Sequence, residues 1–370
     1  RVSSVSAPFS RFLAWKSPCK EENRILPEMQ IMSEKMLNKE VLLKLIRYNT
    51  VFEQEEKKDE ETGLLSIIKV KKVAAYHQYY VVEKAVKETL RALANQTLSG
   101  FQASFDVSNE NNILNNNKLV ADNYQDKFNS FGNQKIGIVW HTQGSGKSLT
   151  MVWLAKWIRE NVPNARVLLV TDRTELDEQI EKVFNGVDEA IYRTKSGADL
   201  INVLNESNPW LVCSLVHKFG RSAEDEENDR PTQEFIVELQ ASLPSDFKAK
   251  GNLFVFVDEC HRTQSGKLHE AMKSILPEAM FIGFTGTPLL KKDKKKSVEV
   301  FGPYIHTYKF DEAVTDGVVL DLRYEARDID QNVTSQKKVD EWFEAKTRGL
   351  SRLAKTQLKQ KWGTMQKVLS

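Results

Sequence analysis

The hydrophobic positions near the start of the chain predict two amphipathic helices. In the stretch KMLNKEVLLKLIRYNTVF, residues 35–52, apolar side chains recur three or four positions apart, which is the spacing of one helix face. They are Met36, Leu37, Val41, Leu42, Leu45 and Ile46. A second amphipathic helix is predicted for YHQYYVVEKAVKETLRAL, residues 76–93. We interpret the first as a packing helix.

Two polar segments interrupt this pattern. Residues 53–63, EQEEKKDEETG, form a charge run that ends in a glycine, and such runs are typical of solvated loops. Residues 108–117, SNENNILNNN, are rich in asparagine, which favours a surface loop. We therefore expect loops at both places.

From residue 136 onward the pattern changes to short apolar runs separated by helical stretches. The runs cover residues 136–140, 167–171, 211–216, 253–257 and 280–284. This alternation predicts an α/β fold with a doubly wound parallel sheet of five buried strands. Ligands of such sheets bind beyond the carboxyl ends of the strands, so we expect the chemistry to lie just after each run.

Composition narrows the class of protein without deciding its function. The chain has 370 residues, 41% of them hydrophobic and 28% charged, which is typical of about two globular domains and excludes membrane-spanning or collagen-like classes. The net charge of +2 means that a nucleic-acid partner would need a local basic surface. Cys19, Cys213 and Cys260 are odd in number and far apart, which predicts reduced thiols in a cytoplasmic protein.

The first run is followed by TQGSGKS, residues 142–148, which we name the phosphate loop. Its two glycines let backbone N–H groups approach phosphates, and the next helix adds its N-terminal donors. Lys147 would contact the β and γ phosphates of ATP, and Ser148 would ligate Mg²⁺. The usual pattern has a glycine where this chain has His141, so a structural turn is the alternative. The expected nucleotide-binding residues are Thr142, Gln143, Gly144, Ser145, Gly146, Lys147 and Ser148.

An acidic pair, Asp258 and Glu259, ends the fourth run in the sequence VFVDECH. Two adjacent carboxylates at the tip of a buried strand are costly unless a cation or a reacting water is present. In a nucleotide site Asp258 would hold Mg²⁺ and Glu259 would polarise the attacking water. An ordinary strand-end cap is the alternative. Together with Lys147, the pair predicts a catalytic site for ATP hydrolysis.

The remaining strand ends carry weaker candidates. GFTGTP, residues 283–288, predicts a tight turn in which Thr285 and Thr287 could sense a γ-phosphate, or a turn with no special role. Arg173, Thr174 and Lys218 follow the second and third runs and could contact a nucleic-acid backbone. Ordinary surface residues are the alternative for these three.

Five motifs in order carry a family resemblance: YHQYY, WHTQGSGKS, VTDRTELDEQ, VFVDECHRTQSGKLH and FIGFTGTPL. The order closely resembles the first motor lobe of the restriction subunit of type I restriction-modification enzymes, within the superfamily 2 helicase-like translocases. The resemblance covers residues 69–327. It implies a P-loop NTPase of RecA-like fold that uses ATP and Mg²⁺ to pump double-stranded DNA. Methyltransferase and specificity subunits are its implied partners.

The resemblance also implies roles for single residues. Gln78 would read the adenine edge, and Thr285 and Thr287 would couple hydrolysis to DNA movement. It further implies that His141 is normal at its position. Of the other histidines His261, beside Glu259, is the one that we expect to help this coupling. Three further histidines, His77, His269 and His306, have no second zinc ligand at a suitable spacing and are interpreted as core or surface residues.

The flanks predict the domain organisation. Residues 1–68 are expected to be a mostly helical linker after an absent nuclease domain, and residues 69–327 the ATP-binding domain. Residues 328–370 would be a charged helical segment leading towards an absent second lobe; within it, residues 336–369 hold nine Lys or Arg against three Asp or Glu. The chain begins with Arg1. We interpret it as a piece of a longer protein that does not cut DNA by itself.

Two other functions remain open from the sequence. The chain could be another superfamily 2 ATPase, such as an RNA helicase or a chromatin-type remodeller. It could also be a nucleotide-binding assembly module that docks a methyltransferase core and never turns over ATP.

Overall fold

A computed structural model of the chain describes most of the residues on which these predictions depend. The described residues are 13–58, 65–101, 135–171, 174–215, 243–244, 247–260, 272–287, 297–322, 341 and 343–358. The chain divides into two compact units, residues 1–320 and 321–370. The predicted asparagine-rich loop at 108–117 lies outside the described residues.

The N-terminal helical region is broken into short pieces rather than forming one helix. The pieces are α1 (Glu22–Ile25), α2 (Glu28–Ile31), a π-helix (Met32–Met36) and α3 (Lys39–Tyr48). Asn38 causes the break, because its side chain accepts the backbone N–H of Glu40 at 3.0 Å and starts α3 as an N-cap. The predicted helical spacing therefore spans two helices.

The charge run forms a strand, so the predicted loop at 53–63 is wrong over residues 53–58. Strand β1 (Thr50–Lys58) pairs antiparallel with β2 (Leu65–Val73) along its whole length. Glu53 forms an ion pair with Lys72 across the two strands at 3.1 Å, which stabilises such a pair. A glutamate of the charge run is thus paired with a lysine of β2, and this partner is not visible in the charge run alone.

The predicted doubly wound parallel sheet is confirmed. Helix α4 (Tyr76–Phe101) precedes it and packs against β3, α5 and β9. The later elements are β3 (Lys135–His141), α5 (Lys147–Asn161), β4 (Ala165–Thr171), α6 (Thr174–Gly186), β5 (Tyr192–Arg193), α7 (Gly197–Asn205), β6 (Leu211–Leu215), β7 (Asn252–Val257), β8 (Met280–Thr285), β9 (Tyr304–Tyr308) and α8 (Phe310–Thr315). The order of the strands across the sheet is β5-β6-β4-β7-β8-β3-β9, all parallel.

Successive side chains of the central strands enter two separate cores. In β4, Val167 and Leu169 join the core that contains α5, while Leu168 and Val170 join the core that contains α7. Strand β7 alternates in the same way. Burial on both faces explains why these strands have continuous apolar runs in the sequence.

Two edge strands were absent from the sequence prediction, which found the five central ones. Strand β5 has two residues, and three of the five residues of β9 are only partly buried with a fourth exposed. Neither has a continuous apolar run. Strand β9 matters for the site below, because it lies beside β3.

Within residues 321–370, the described segments 343–346 and 352–358 are helical. Lys355 pairs with Glu344 at 2.8 Å there. The division after residue 320 falls close to the predicted end of the ATP-binding domain at 327, and both predicted domain boundaries stay predictions. In the described part of the chain, no helix is long and apolar enough to cross a bilayer.

Candidate nucleotide site

The phosphate loop joins β3 to α5 at the carboxyl edge of the sheet, where such loops bind anions. Gly144 and Gly146 have φ values of 83° and 81°, a conformation that glycine adopts without strain. A Cβ on Gly146 would lie 2.3 Å from the side-chain nitrogen of Gln78, so any other residue would push Gln78 away from the loop. Gln143 and Gly144 are exposed, while Lys147 and Ser148 are half-buried at the start of α5.

Hydrogen bonds within the protein hold the inner half of the loop in this shape. The hydroxyl of Ser145 donates to the carbonyl of Thr142 at 2.6 Å, and the N–H of Thr142 donates to the carbonyl of Tyr308 at 2.9 Å. The side chains of Thr142 and Ser145 are buried. The inner half of the loop is therefore fixed, while the outer half stays open to a ligand.

Gln78 contacts the loop directly from α4. Its amide nitrogen donates to the carbonyl of Ser145 at 3.1 Å and lies 3.5 Å from that of Gly146. Its amide oxygen accepts the N–H of Ala75 at 2.9 Å. Gln78 thus braces the loop backbone, and its predicted reading of the adenine edge stays a prediction.

The acidic pair follows β7, as predicted. The N–H of Asp258 donates to the carbonyl of Val170 at 2.9 Å, and the N–H of Glu259 donates to the Asp258 carboxylate at 3.0 Å. Burial, together with the neighbouring charge of Glu259, raises the pKa of Asp258 to about 6, while Lys147 lowers it. Strand β8 lies between β7 and β3, so the end of β7 is two strands away from the phosphate loop at the same edge of the sheet.

Cys260 fixes the end of this segment against β8. Its N–H donates to the carbonyl of Phe284 at 3.0 Å. A Cβ on Gly283 would lie 2.9 Å from the Cys260 sulfur, so the glycine makes room for the thiol. Burial raises the pKa of the Cys260 thiol, which keeps it protonated and unreactive.

The turn after β8 lies beside Lys147. Thr285 is fully buried, and its hydroxyl accepts the N–H of Thr287 at 3.3 Å. A Cβ on Gly286 would lie 3.0 Å from the Lys147 ammonium nitrogen and 3.4 Å from the N–H of Gln143. Because β8 lies between β7 and β3, this turn also separates the acidic pair from the phosphate loop.

The donor set fits a magnesium nucleotide. The described residues contain no group of three or more His, Cys, Asp or Glu that could hold a metal by themselves. Mg²⁺ usually takes one or two protein oxygens and completes its shell with phosphates and water. One hydroxyl, from Ser148, and one carboxylate, from Asp258, suit that requirement beside the open glycine loop.

Three histidines, His77, His141 and His306, contact one another next to the phosphate loop. His141 is fully buried, and its Nε2 lies 2.8 Å from Nδ1 of His306. Nε2 of His77 lies 3.2 Å from the carbonyl of Ser145. Burial lowers the pKa of His77 to about 4, that of His306 to about 3, and that of His141 well below its ordinary value. The expectation of a core residue fits His77, whereas the loop pattern identifies His141 only as a departure from glycine.

Several predicted residues cannot be placed. Arg173, Lys218, His261 and His269 lie outside the described residues. Thr174 begins α6, and its side chain is also outside them. The predicted DNA contacts and the role of His261 therefore stay predictions.

Comparisons with known proteins are consistent with this geometry. Residues 77–356 match the SWI2/SNF2 ATPase family. The chain is 31% identical over 356 residues to the type I restriction enzyme HindI endonuclease subunit of Haemophilus influenzae, which covers 90% of this chain and 28% of that protein. It is 32% identical over 190 residues to the SauCOLORF180P endonuclease subunit of Staphylococcus aureus, covering 50% and 19%.

Among the solved structures that are similar to this chain is the ATP-dependent type ISP restriction-modification enzyme LlaBIII bound to DNA. The TM-score is 0.40 at 14% sequence identity, with 71% of this chain and 17% of that chain covered. The chain spans between 19% and 28% of the length of the curated relatives given above.

Proposed function

This chain belongs to the SWI2/SNF2 ATPase family, and from that premise we propose that it is the first motor lobe of a type I restriction enzyme endonuclease subunit. The lobe hydrolyses ATP with Mg²⁺ and uses the energy to pump double-stranded DNA past the complex. The methyltransferase and specificity subunits are its partners. The similarity to two such endonuclease subunits supports this choice over other motors of the family.

The observation that carries the proposal is the position of Lys147. Its ammonium nitrogen lies at the Gly286 turn, and its charge lowers the pKa of Asp258. The Gly286 turn thus lies against Lys147, and the acidic pair follows β7 on the other side of β8. A phosphate chain placed there would contact the glycine loop, the lysine and the acidic pair together.

Each residue then has a defined role. Lys147 and the loop N–H groups bind the β and γ phosphates, while Ser148 and Asp258 hold Mg²⁺. The ion, when bound, neutralises charge on the phosphate oxygens. Glu259 orients and polarises the attacking water, and Gln78 contacts the adenine.

Coupling to DNA is the remaining part of the proposal. Thr285 and Thr287 lie at the turn beside Lys147 and transmit the presence of a γ-phosphate. His261 assists them. Arg173, Thr174 and Lys218 contact the DNA backbone, which positions a duplex without reading its sequence.

The proposal predicts that Lys147→Ala lowers ATP hydrolysis by the intact endonuclease subunit, with its second lobe, at least about 100-fold, because it removes the cation that faces the phosphates. The matched control is Lys39→Ala, since Lys39 is an exposed lysine that begins α3 as Lys147 begins α5. ATP hydrolysis and ATP binding are measured with duplex DNA, single-stranded DNA and RNA as separate stimulators. Hydrolysis should be stimulated most by duplex DNA.

Three outcomes would redirect the proposal. Normal hydrolysis by Lys147→Ala would contradict the assignment of the site. Stimulation by RNA or single strands in place of duplex DNA would favour an RNA helicase or another superfamily 2 motor. ATP binding without hydrolysis under every condition would favour the assembly module.

A further inference from the structure

The buried carboxylate of Asp316, directly after α8, accepts hydrogen bonds from three donors. The side chain of Asp316 is only 5% exposed. It accepts hydrogen bonds from the hydroxyl of Tyr76 at 2.6 Å and from that of Tyr308 at 2.8 Å, and it forms an ion pair with Lys16. The three donors come from three separate parts of the chain, so Asp316 joins the N-terminal segment, α4 and β9.

The carboxylate is held in its charged form. Burial raises the pKa of Asp316, but the hydrogen bonds from Lys16, Tyr76 and Tyr308 outweigh burial and leave that pKa below its ordinary value. Burial and the Asp316 charge raise the pKa of both tyrosines, so their hydroxyls remain donors. Asp316 is therefore ionised, and Lys16 and the two tyrosine hydroxyls donate to it.

Tyr308 connects this network to the phosphate loop in two further ways. Its ring stacks on His77 with centroids 4.1 Å apart and planes 6° apart, and Nε2 of His77 faces the carbonyl of Ser145. Its backbone carbonyl accepts the N–H of Thr142 at 2.9 Å. Movement of Tyr308 would shift the loop two to five residues before Lys147.

The segment that follows Asp316 also contacts the loop. The N–H groups of Val318 and Val319 donate to the carbonyl of Ala313 at 2.9 and 3.3 Å, which turns the chain back. A Cβ on Gly144 would lie 3.1 Å from a methyl group of Val319. Fixing Asp316 thus places an apolar side chain beside the exposed glycine of the loop.

We propose that Asp316 is a positioning residue for the phosphate loop, and that Lys16 sets its position from the N-terminal segment. This inference rests on the proposed ATPase function and adds a route by which the N-terminal segment controls ATP affinity. Asp316 acts through Tyr308 and His77 rather than on the nucleotide. Loosening it should weaken ATP binding while leaving the chemical step intact.

Two substitutions test this in the intact endonuclease subunit, with its second lobe. Asp316→Asn keeps the shape and removes the charge, and Lys16→Ala removes the cation at a partly exposed position. Each should raise the KM for ATP about 5-fold or more, with kcat changed less than about 2-fold. Lys16→Arg should restore most of the affinity. The double variant should resemble Asp316→Asn, because that change already removes the charge with which Lys16 pairs.

The matched control is Lys20→Ala. Lys20 lies four residues from Lys16 in the same segment and forms an ion pair with Glu312 at 3.3 Å, but its side chain is 84% exposed. An exposed pair of this kind contributes little, so the KM for ATP should stay within about 2-fold of wild type. The control separates a specific effect of the buried pair from loss of any charge on this segment.

The outcomes are distinguishable from failure of the proposed function. If Lys147→Ala abolishes hydrolysis but Lys16→Ala and Asp316→Asn keep the wild-type KM, the positioning role is wrong and the ATPase assignment stands. If Lys147→Ala hydrolyses ATP normally, the ATPase site is wrong and the positioning role falls with it. A loss of stability in urea without a change in KM would make Asp316 a purely structural residue. Should Asp316→Asn fail to fold, Lys16→Ala alone decides.

Discussion

Two buried polar clusters lie at opposite edges of the sheet and differ in how well they are satisfied. At the amino edge, Arg166 is 2% exposed and donates only to backbone carbonyls. Its acceptors are Val203, Leu204, Glu206, Pro209 and Lys250, at 2.6 to 3.3 Å. At the carboxyl edge, the Nδ1 atoms of His77 and His141 are buried, and no partner for either lies within the described residues.

The difference separates a residue that stabilises the fold from residues that serve a site. Arg166 neutralises the carbonyl end of α7 and the chain after it, where a cation is favourable. Its hydrogen bonds leave nothing for a ligand. The histidines and Asp258 keep polar groups in strained electrostatic surroundings, which is typical of functional sites. Each edge should therefore respond to a different measurement.

The largest effect is expected at the amino edge. Arg166→Leu should lower the free energy of unfolding by about 3–5 kcal/mol, because several buried carbonyls lose their donor. Urea denaturation measures this, and ATP hydrolysis per folded molecule should be unchanged. Arg159→Leu is the control: Arg159 is about half exposed and pairs with Glu189, so the loss should stay under about 1 kcal/mol. Equal losses in both variants would remove the distinction.

At the carboxyl edge, Glu259→Gln should lower ATP hydrolysis and leave the stability of the fold nearly unchanged. Hydrolysis should fall about 100-fold or more, because the variant cannot polarise water, while ATP stays bound. The free energy of unfolding should change by less than about 1 kcal/mol. Glu278→Gln, at an exposed position just before β8, is the matched control. Unchanged hydrolysis by Glu259→Gln would show that the edge does not carry the chemistry.

A smaller effect is expected from pH, through His77. Its pKa is about 4 in the folded chain against an ordinary 6.5, mainly because of burial and despite the Ser145 carbonyl and the Asp316 charge. Its contribution to stability is therefore complete above pH 6.5 and is lost as pH falls towards 4. At pH 5 the loss should be about 2 kcal/mol.

His77→Gln isolates this contribution, because glutamine can still donate to Ser145 but gains no charge. Urea unfolding at pH 7 and pH 5 should show a drop that is smaller by about that amount in the variant. His141 and His306 titrate in the same direction and remain in both proteins. An identical drop in both would show that His77 is not held neutral by the fold.

Local patterns were enough to predict the centre of the fold. The five central strands are apolar on both faces, so each leaves a continuous run in the sequence. Strands β5 and β9 are short or partly exposed and leave none. The charge run of β1 is typical of a loop when it is considered alone. It forms a strand because it pairs with β2, and a pairing partner is not a local property of the sequence.

The difference between local patterns and distant partners also explains which site residues could be predicted. The phosphate loop and the acidic pair are compact motifs, so their residues could be named in advance. The Asp316 network could not, since Lys16 and Tyr76 lie 300 and 240 positions away from it in the chain. The signal that could have found it is the occurrence of an aspartate soon after a tyrosine-rich strand, which is too common to be informative by itself.

The position of β3 inside the sheet has a consequence for synthesis of the protein. Both neighbours of β3, which are β8 and β9, come more than 130 residues later in the chain. A growing polypeptide that has reached only β7 can pair β4, β6 and β7 with one another, but β3 has nothing to pair with. The nucleotide-binding loop is therefore among the earlier parts of the sheet to be made and among the last to take its shape, and such long-range pairing is slow. A chain released before β8 would expose an unpaired apolar strand to its neighbours, which is a typical start of aggregation.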